Sequence, residues 1–139
     1  MAGRTTIVDC GGARIRAHGR HLATVVTIQG EIDATNVEQV AQYLRRFLLG
    51  GGPVVLDLSE VRRFTGAGMS LLLTFDDDCS AAGAEWTLVV GPAVTELLND
   101  ARAEDAFPTA RSVHEALRNL ADAIVSRRQL VLPLIKKTA

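Results

Sequence analysis

The segment that most restricts this chain lies between the glycine triplet Gly50–Gly52 and Gly66. It opens with Pro53 to Leu58, PVVLDL, in which Asp57 is the single charge. A short run this apolar suits a strand covered on both faces, an inner strand of a sheet with helices packed against it. From Gly66 the period changes. Gly68, Leu71, Leu72, Phe75, Cys79 and Ala82 recur at helical spacing, and Gly83 closes the run.

The rest of the chain repeats that alternation. Leu22 to Gln29 is rich in Val, Ile and Thr and reads as a strand, broken at Gly30 to Asp33. Thr35 and Glu38 have the spacing of a capping box, with Asp33 as an alternative cap. Val37, Val40, Ala41, Leu44, Phe47 and Leu48 then form one stripe of an amphipathic helix. Glu85 to Val90 is the next strand, Pro92 opens a third helix faced by Val94, Leu97, Leu98 and Ala101, and Phe107–Pro108 marks a weak extended segment. Ser112 and Glu115 form another capping box before a last helix that buries Val113, Ala116, Leu117, Leu120 and Ile124. Strands alternating with helices without an internal linker predict a single α/β domain. Its limits are set at residues 20–126. Residues 1–19 are an N-terminal segment able to add an edge strand. Residues 127–139 are an apolar tail broken by Pro133, for which packing back, a dimer contact and disorder all stay open.

Composition removes several functions. At 139 residues with 47% hydrophobic and 22% charged residues, the chain can bury a proper core. A formal net charge of −1 supplies no field toward nucleic acid or an anionic membrane, and the arginines between Arg14 and Arg20 are too scattered to change that. No apolar run reaches membrane-spanning length and residues 1–20 lack a signal-peptide core, so a cytoplasmic protein without membrane insertion is expected. Cys10 and Cys79 are not placed for a disulfide or a metal site. Cys79 reads as a core residue and Cys10 as an exposed thiol near a loose end. Asp76–Asp78 resembles a metal cluster, but consecutive helical positions diverge by about 100° and cannot converge on one ion. His18, His21 and His114 have no nucleophile at a recognisable spacing. No enzyme, cofactor or metal is expected.

The segment VVLDLSEVRRFTGAGMSLLL, from Val54 to Leu73, together with VVTIQGEID, from Val25 to Asp33, resembles the STAS domain family, in its anti-sigma factor antagonist type. The likeness covers roughly residues 20–121. It implies a mixed central sheet of about four or five strands flanked by about four helices. It also implies a docking surface at the G-E-[LI]-D turn and the helix after the LDLS strand, for a kinase-type anti-sigma factor that is thereby made to release its sigma factor. On that basis Glu31, Asp33, Thr65, Gly66, Ala67, Met69 and Leu73 are the expected partner-binding residues. Switchable members carry Asp-Ser where this chain has Thr65 and Gly66. Gly66 has no hydroxyl, so the family's phosphorylation switch is expected to be missing, with Thr65 and Ser70 as substitute acceptors.

Physical reasoning supports the same region. Met69 and Leu73 lie off the buried stripe, one turn apart, as an exposed apolar pair beside a polar loop should for a partner contact. Glu31 and Asp33 offer an acidic rim that would set rate and specificity more than affinity. Asp57 is expected to fix the loop through bonds to backbone N–H groups. A STAS subunit of a stress-signalling or transporter-associated assembly would use the same surface, a nucleotide or anion module would use the Gly66 helix start, and a homodimer stays open.

Overall fold

A computed structural model describes residues 5–20, 22–50 and 52–138, with side chains described up to Ser126. Ten elements follow in chain order: β1 (Thr5–Cys10), β2 (Ala13–Gly19), β3 (Thr24–Ile32), α1 (Val37–Leu48), β4 (Val54–Phe64), α2 (Gly66–Ala82), β5 (Trp86–Val89), α3 (Pro92–Asp100), β6 (Thr109–Ala110) and α4 (Val113–Thr138). The strands form one sheet in sequence order, β1-β2-β3-β4-β5-β6, antiparallel through β3 and parallel from there on. This is the mixed α/β sheet with four helices anticipated above, with six strands because residues 5–19 supply a whole hairpin.

Topology decides where the helices go. Each step from β3 to β6 moves one strand in the same direction, so right-handed crossovers put α1, α2 and α3 on one face. That face holds the larger core, in which Ile28, Leu56, Leu58, Leu72, Phe75 and Leu88 are fully or almost fully buried. α4 covers the opposite face over Val25, Val55 and Val89. The hairpin lies on the far side of β3 from β4. There Arg14 and Arg16 alternate with the buried Ala13, Ile15 and Ala17, the one-sided pattern of an antiparallel sheet facing water.

β4 is longer than the sequence suggests. Its partner in β3 shifts twice, from Thr27↔Asp57 to Gln29↔Glu60 and from Gly30↔Val61 to Glu31↔Arg63, so β4 carries two extra residues as bulges. The core-facing residues are accordingly Leu56, Leu58, Val61 and Phe64, spaced two, three and three apart. Asp57 holds the first bulge, accepting from the Ser59 N–H at 3.0 Å and from the Ser59 hydroxyl at 2.6 Å. It sits inside the strand, where it fixes the bulge and not the later loop. The bulge leaves no room beside it: a Cβ on Gly91 would lie 2.5 Å from the Ser59 carbonyl oxygen.

Four further expectations change. Asn36, not Thr35, is the residue before α1, and the Thr35–Glu38 capping box is not formed. Asp33 instead accepts from the Thr35 N–H and hydroxyl, closing the turn one residue earlier. Ala82 and Ala101 are exposed, at the last residue of α2 and just past the end of α3. α4 continues through Pro133 to Thr138; a helix already under way loses one backbone bond there without ending. The Ser112 cap does form, its hydroxyl accepting from the Glu115 N–H at 3.0 Å.

Cys10 is the fourth correction. It is 1% exposed and packs into the main core, because β1 is the first strand of a hairpin and not a loose end. Burial raises its pKa, aided by Asp9. Burial also pushes Cys79 up, to about 12, with Asp76 and Asp78 adding to the shift. Both groups are therefore neutral thiols near pH 7. For Cys79 that preference is intact below 9.0 and is lost as pH climbs toward about 12. A disulfide-exchange reagent at pH 8 should label neither thiol in the native protein and both in guanidinium. Rapid labelling of Cys10 in the native protein would contradict its burial.

Candidate functional site

The site is built where two strand ends meet. β3 and β4 run parallel, and the two bulges bring Phe64 level with Ile32, so both strands finish at the same edge of the sheet. Thr65 joins them: its N–H and its hydroxyl both donate to the Ile32 carbonyl, at 3.3 and 3.4 Å. Its own carbonyl accepts from the Gly68 N–H at 2.9 Å, which starts α2. Gly68 has to be glycine, since a Cβ there would meet the Phe64 ring at 2.4 Å. The start of α2 is thus pressed onto the end of β4.

The β3 end is held from below by Asn36, which is only 1% exposed. Its amide nitrogen donates to the carbonyls of Gly11 (3.0 Å) and Glu31 (2.8 Å), and its oxygen accepts from the Asp33 N–H (3.1 Å). One side chain therefore ties the hairpin turn, the end of β3 and the entry to α1. Sequence reasoning missed it. Its signal was an Asn directly before a helical stripe, which suggests a cap and not a buried crosslink.

Of the expected partner-binding residues, Asp33, Thr65, Gly66 and Ala67 come together at this edge. The Thr35 hydroxyl and N–H bonds, then the nearby Arg63, hold the Asp33 carboxyl below the usual carboxylate range. The acidic rim is consequently mixed, because Arg63 also sits level with Glu31 in the strand register. Along α2, Gly66, Met69 and Leu73 follow at i, i+3 and i+7 on one stripe. Leu73 is 51% exposed, whereas Met69 is half-buried and packs against the core. Ser70 is exposed on the neighbouring stripe. With Ala67 and Thr74 it faces Val37, Ala41 and Arg45 of α1 across a groove of about 490 Å³.

The three aspartates of α2 do not act together. Asp76 accepts from the Trp86 indole N–H at 2.8 Å and Asp78 pairs with Arg45 at 3.4 Å. His18 bonds Thr5, His114 is exposed, and His21 lies outside the described residues. Among the described residues no helix is long and apolar enough to cross a membrane.

Gly66 differs from its neighbour. Nothing lies within 4 Å of a Cβ built on it, and its backbone is helical. Gly66→Ala should be neutral or stabilise by up to about 1 kcal/mol in thermal unfolding. Gly68→Ala should cost about 1–3 kcal/mol, because Phe64 must move. Equal effects would contradict this packing.

Comparison with known proteins gives one answer at several depths. The STAS domain profile matches residues 14–116. Osmosensory protein A of Mycobacterium tuberculosis is 61% identical over 136 residues, covering 95% of this chain and 86% of that protein. An anti-sigma factor antagonist from Mycobacterium paratuberculosis superposes with a TM-score of 0.65 at 21% identity, over 85% of this chain and 93% of its own. An anti-sigma-factor antagonist (STAS) domain protein from Planctomyces limnophilus gives 0.66 at 23% identity, over 77% of this chain and 97% of its own.

Proposed function

The chain belongs to the STAS domain family, and from that membership we propose that it is an anti-sigma factor antagonist. It binds a kinase-type anti-sigma factor through the end of β3 and the start of α2, and so frees a sigma factor. The name of the mycobacterial relative points to osmotic stress as the setting, with the protein acting in the cytoplasm. The role is regulatory, exerted by docking and not by catalysis.

The observation that carries this reading is the exposed Leu73, on the stripe it shares with the open Gly66 and the half-buried Met69, beside a polar edge. Leu73 is an apolar side chain left in water on a helix whose other face is fully packed. At the start of the same helix, Asp33, Glu31 and Arg63 offer a charged rim of mixed sign, which suits register and selectivity. Such a surface resembles a small protein interface, an apolar centre within a polar border.

The family's serine switch has no hydroxyl to act on at Gly66. The two substitutes differ in access. The Thr65 hydroxyl is half-buried and donates to Ile32, so its modification would break the joint between β3 and α2. Ser70 is free in solvent at the groove. The chain is thus an antagonist whose binding is not turned off at position 66.

Binding to the anti-sigma kinases of the host, measured by calorimetry, tests the proposal. Gly66→Glu and Leu73→Asp should each weaken binding at least tenfold while melting close to the parent, since both positions are open to solvent. Unchanged affinity in both variants would place the interface elsewhere. Absence of binding to any of these kinases would favour a STAS subunit of another stress-signalling assembly.

A further inference from the structure

The outer strand of the sheet on the hairpin side is β1, and among the described residues no strand covers its far edge. It reads Thr5-Thr6-Ile7-Val8-Asp9-Cys10, with no proline, no lysine and no bulge against β2. Those are the usual means of blunting an edge. Ile7, at its centre, is 60% exposed.

The direction of the free backbone groups follows from the turn. Gly11 and Gly12 have φ of 39° and 98°, as a two-residue turn of type I′ requires, and the hairpin closes on the pair Cys10↔Ala13. That closing pair exchanges both backbone bonds, so alternation sends the groups of Cys10, Val8 and Thr6 toward β2. The groups of Asp9, Ile7 and Thr5 point outward. The far side of β2 has the matching parity: the Glu31 N–H donates to the Gly12 carbonyl at 2.9 Å.

We propose that β1 pairs antiparallel with β1 of a second copy of this chain, about a two-fold axis through Ile7, joining two sheets into one. An axis on Val8 or Thr6 would pair only two of the three outward-bonding residues with each other. An axis on Asp9 would oppose two like charges, and one on Thr5 would leave most of the strand unused. Centred on Ile7, the strand is its own complement. Ile7 covers Ile7, Thr5 stands opposite Asp9 twice, and all three outward-bonding residues find partners. The contact is isologous and closes at two subunits. It lies on the hairpin edge, two strands from the β3–β4 edge proposed for docking, so each idea can fail without the other.

Sedimentation equilibrium of the full chain at tens of micromolar should give twice the monomer mass. Ile7→Lys should give the monomer mass with an unchanged far-UV circular dichroism spectrum, because the side chain is exposed in the isolated subunit. Register is tested by Ile7→Cys, which should form a disulfide-linked dimer on mild oxidation, since directly opposed residues of a bonded pair lie about 5.5 Å apart at Cα. Val8→Cys, which would face Thr6 of the second copy, should not. Cys10 and Cys79 are buried and do not compete. A monomeric parent, or a dimer that Ile7→Lys leaves intact, would overturn the proposal.

Discussion

The buried amide of Asn36 is the constraint on which the functional edge depends. It satisfies two carbonyls and one N–H that belong to three separate segments. Without it those groups would lose a partner at a part-buried corner, at about 0.5–1.5 kcal/mol each. With it, the Gly11–Gly12 turn, the end of β3 and the entry to α1 form one rigid corner. Gly30 completes the corner by necessity: its φ is +99°, and a Cβ there would lie 2.3 Å from the Gly12 carbonyl oxygen. Thr65 then fastens the start of α2 to the same corner through Ile32. The proposed docking surface is thus held by hydrogen bonds from below, which leaves its outer side chains free to vary.

Much of this was legible in the sequence. The alternation of strand and helix, the limits of α2, the Pro92 helix start and the Ser112 cap all follow from local chemistry that tertiary packing did not override. β4 was only half legible. After Leu58 its core-facing residues fall at intervals of three, Val61 and then Phe64, a spacing that fits neither an even strand nor a helix. The first bulge is held by Asp57 through Ser59, two residues on, and lies against Gly91, a contact distant in sequence. Cys10 was misjudged for a related reason. Two glycines beside it suggest a loose end, yet as a type I′ turn they make the hairpin that buries it.

The candidate site was legible as a place more than as a surface. Motif and helix start located it, but only packing separates Leu73, which is exposed, from Met69, which leans into the core. Likewise the acidic pair Glu31 and Asp33 acquires Arg63 as a neighbour because the second bulge shifts β4 by one residue. The two glycines that open α2 look equivalent in sequence and differ in kind. Gly68 is required by the Phe64 ring, whereas Gly66 stands in open space where a larger residue would fit.

That openness makes the central claim testable by gain of function. Gly66→Ser places a hydroxyl at the exposed start of α2 without a clash. Parent and variant should be incubated with the proposed anti-sigma kinase partner and ATP, then followed by intact mass and by affinity. The account predicts that the parent keeps its affinity and gains no phosphate, while Gly66→Ser gains one phosphate and loses the partner. Phosphorylation of the parent at Thr65 or Ser70 with loss of binding would contradict it, and would show that the switch has moved along the chain.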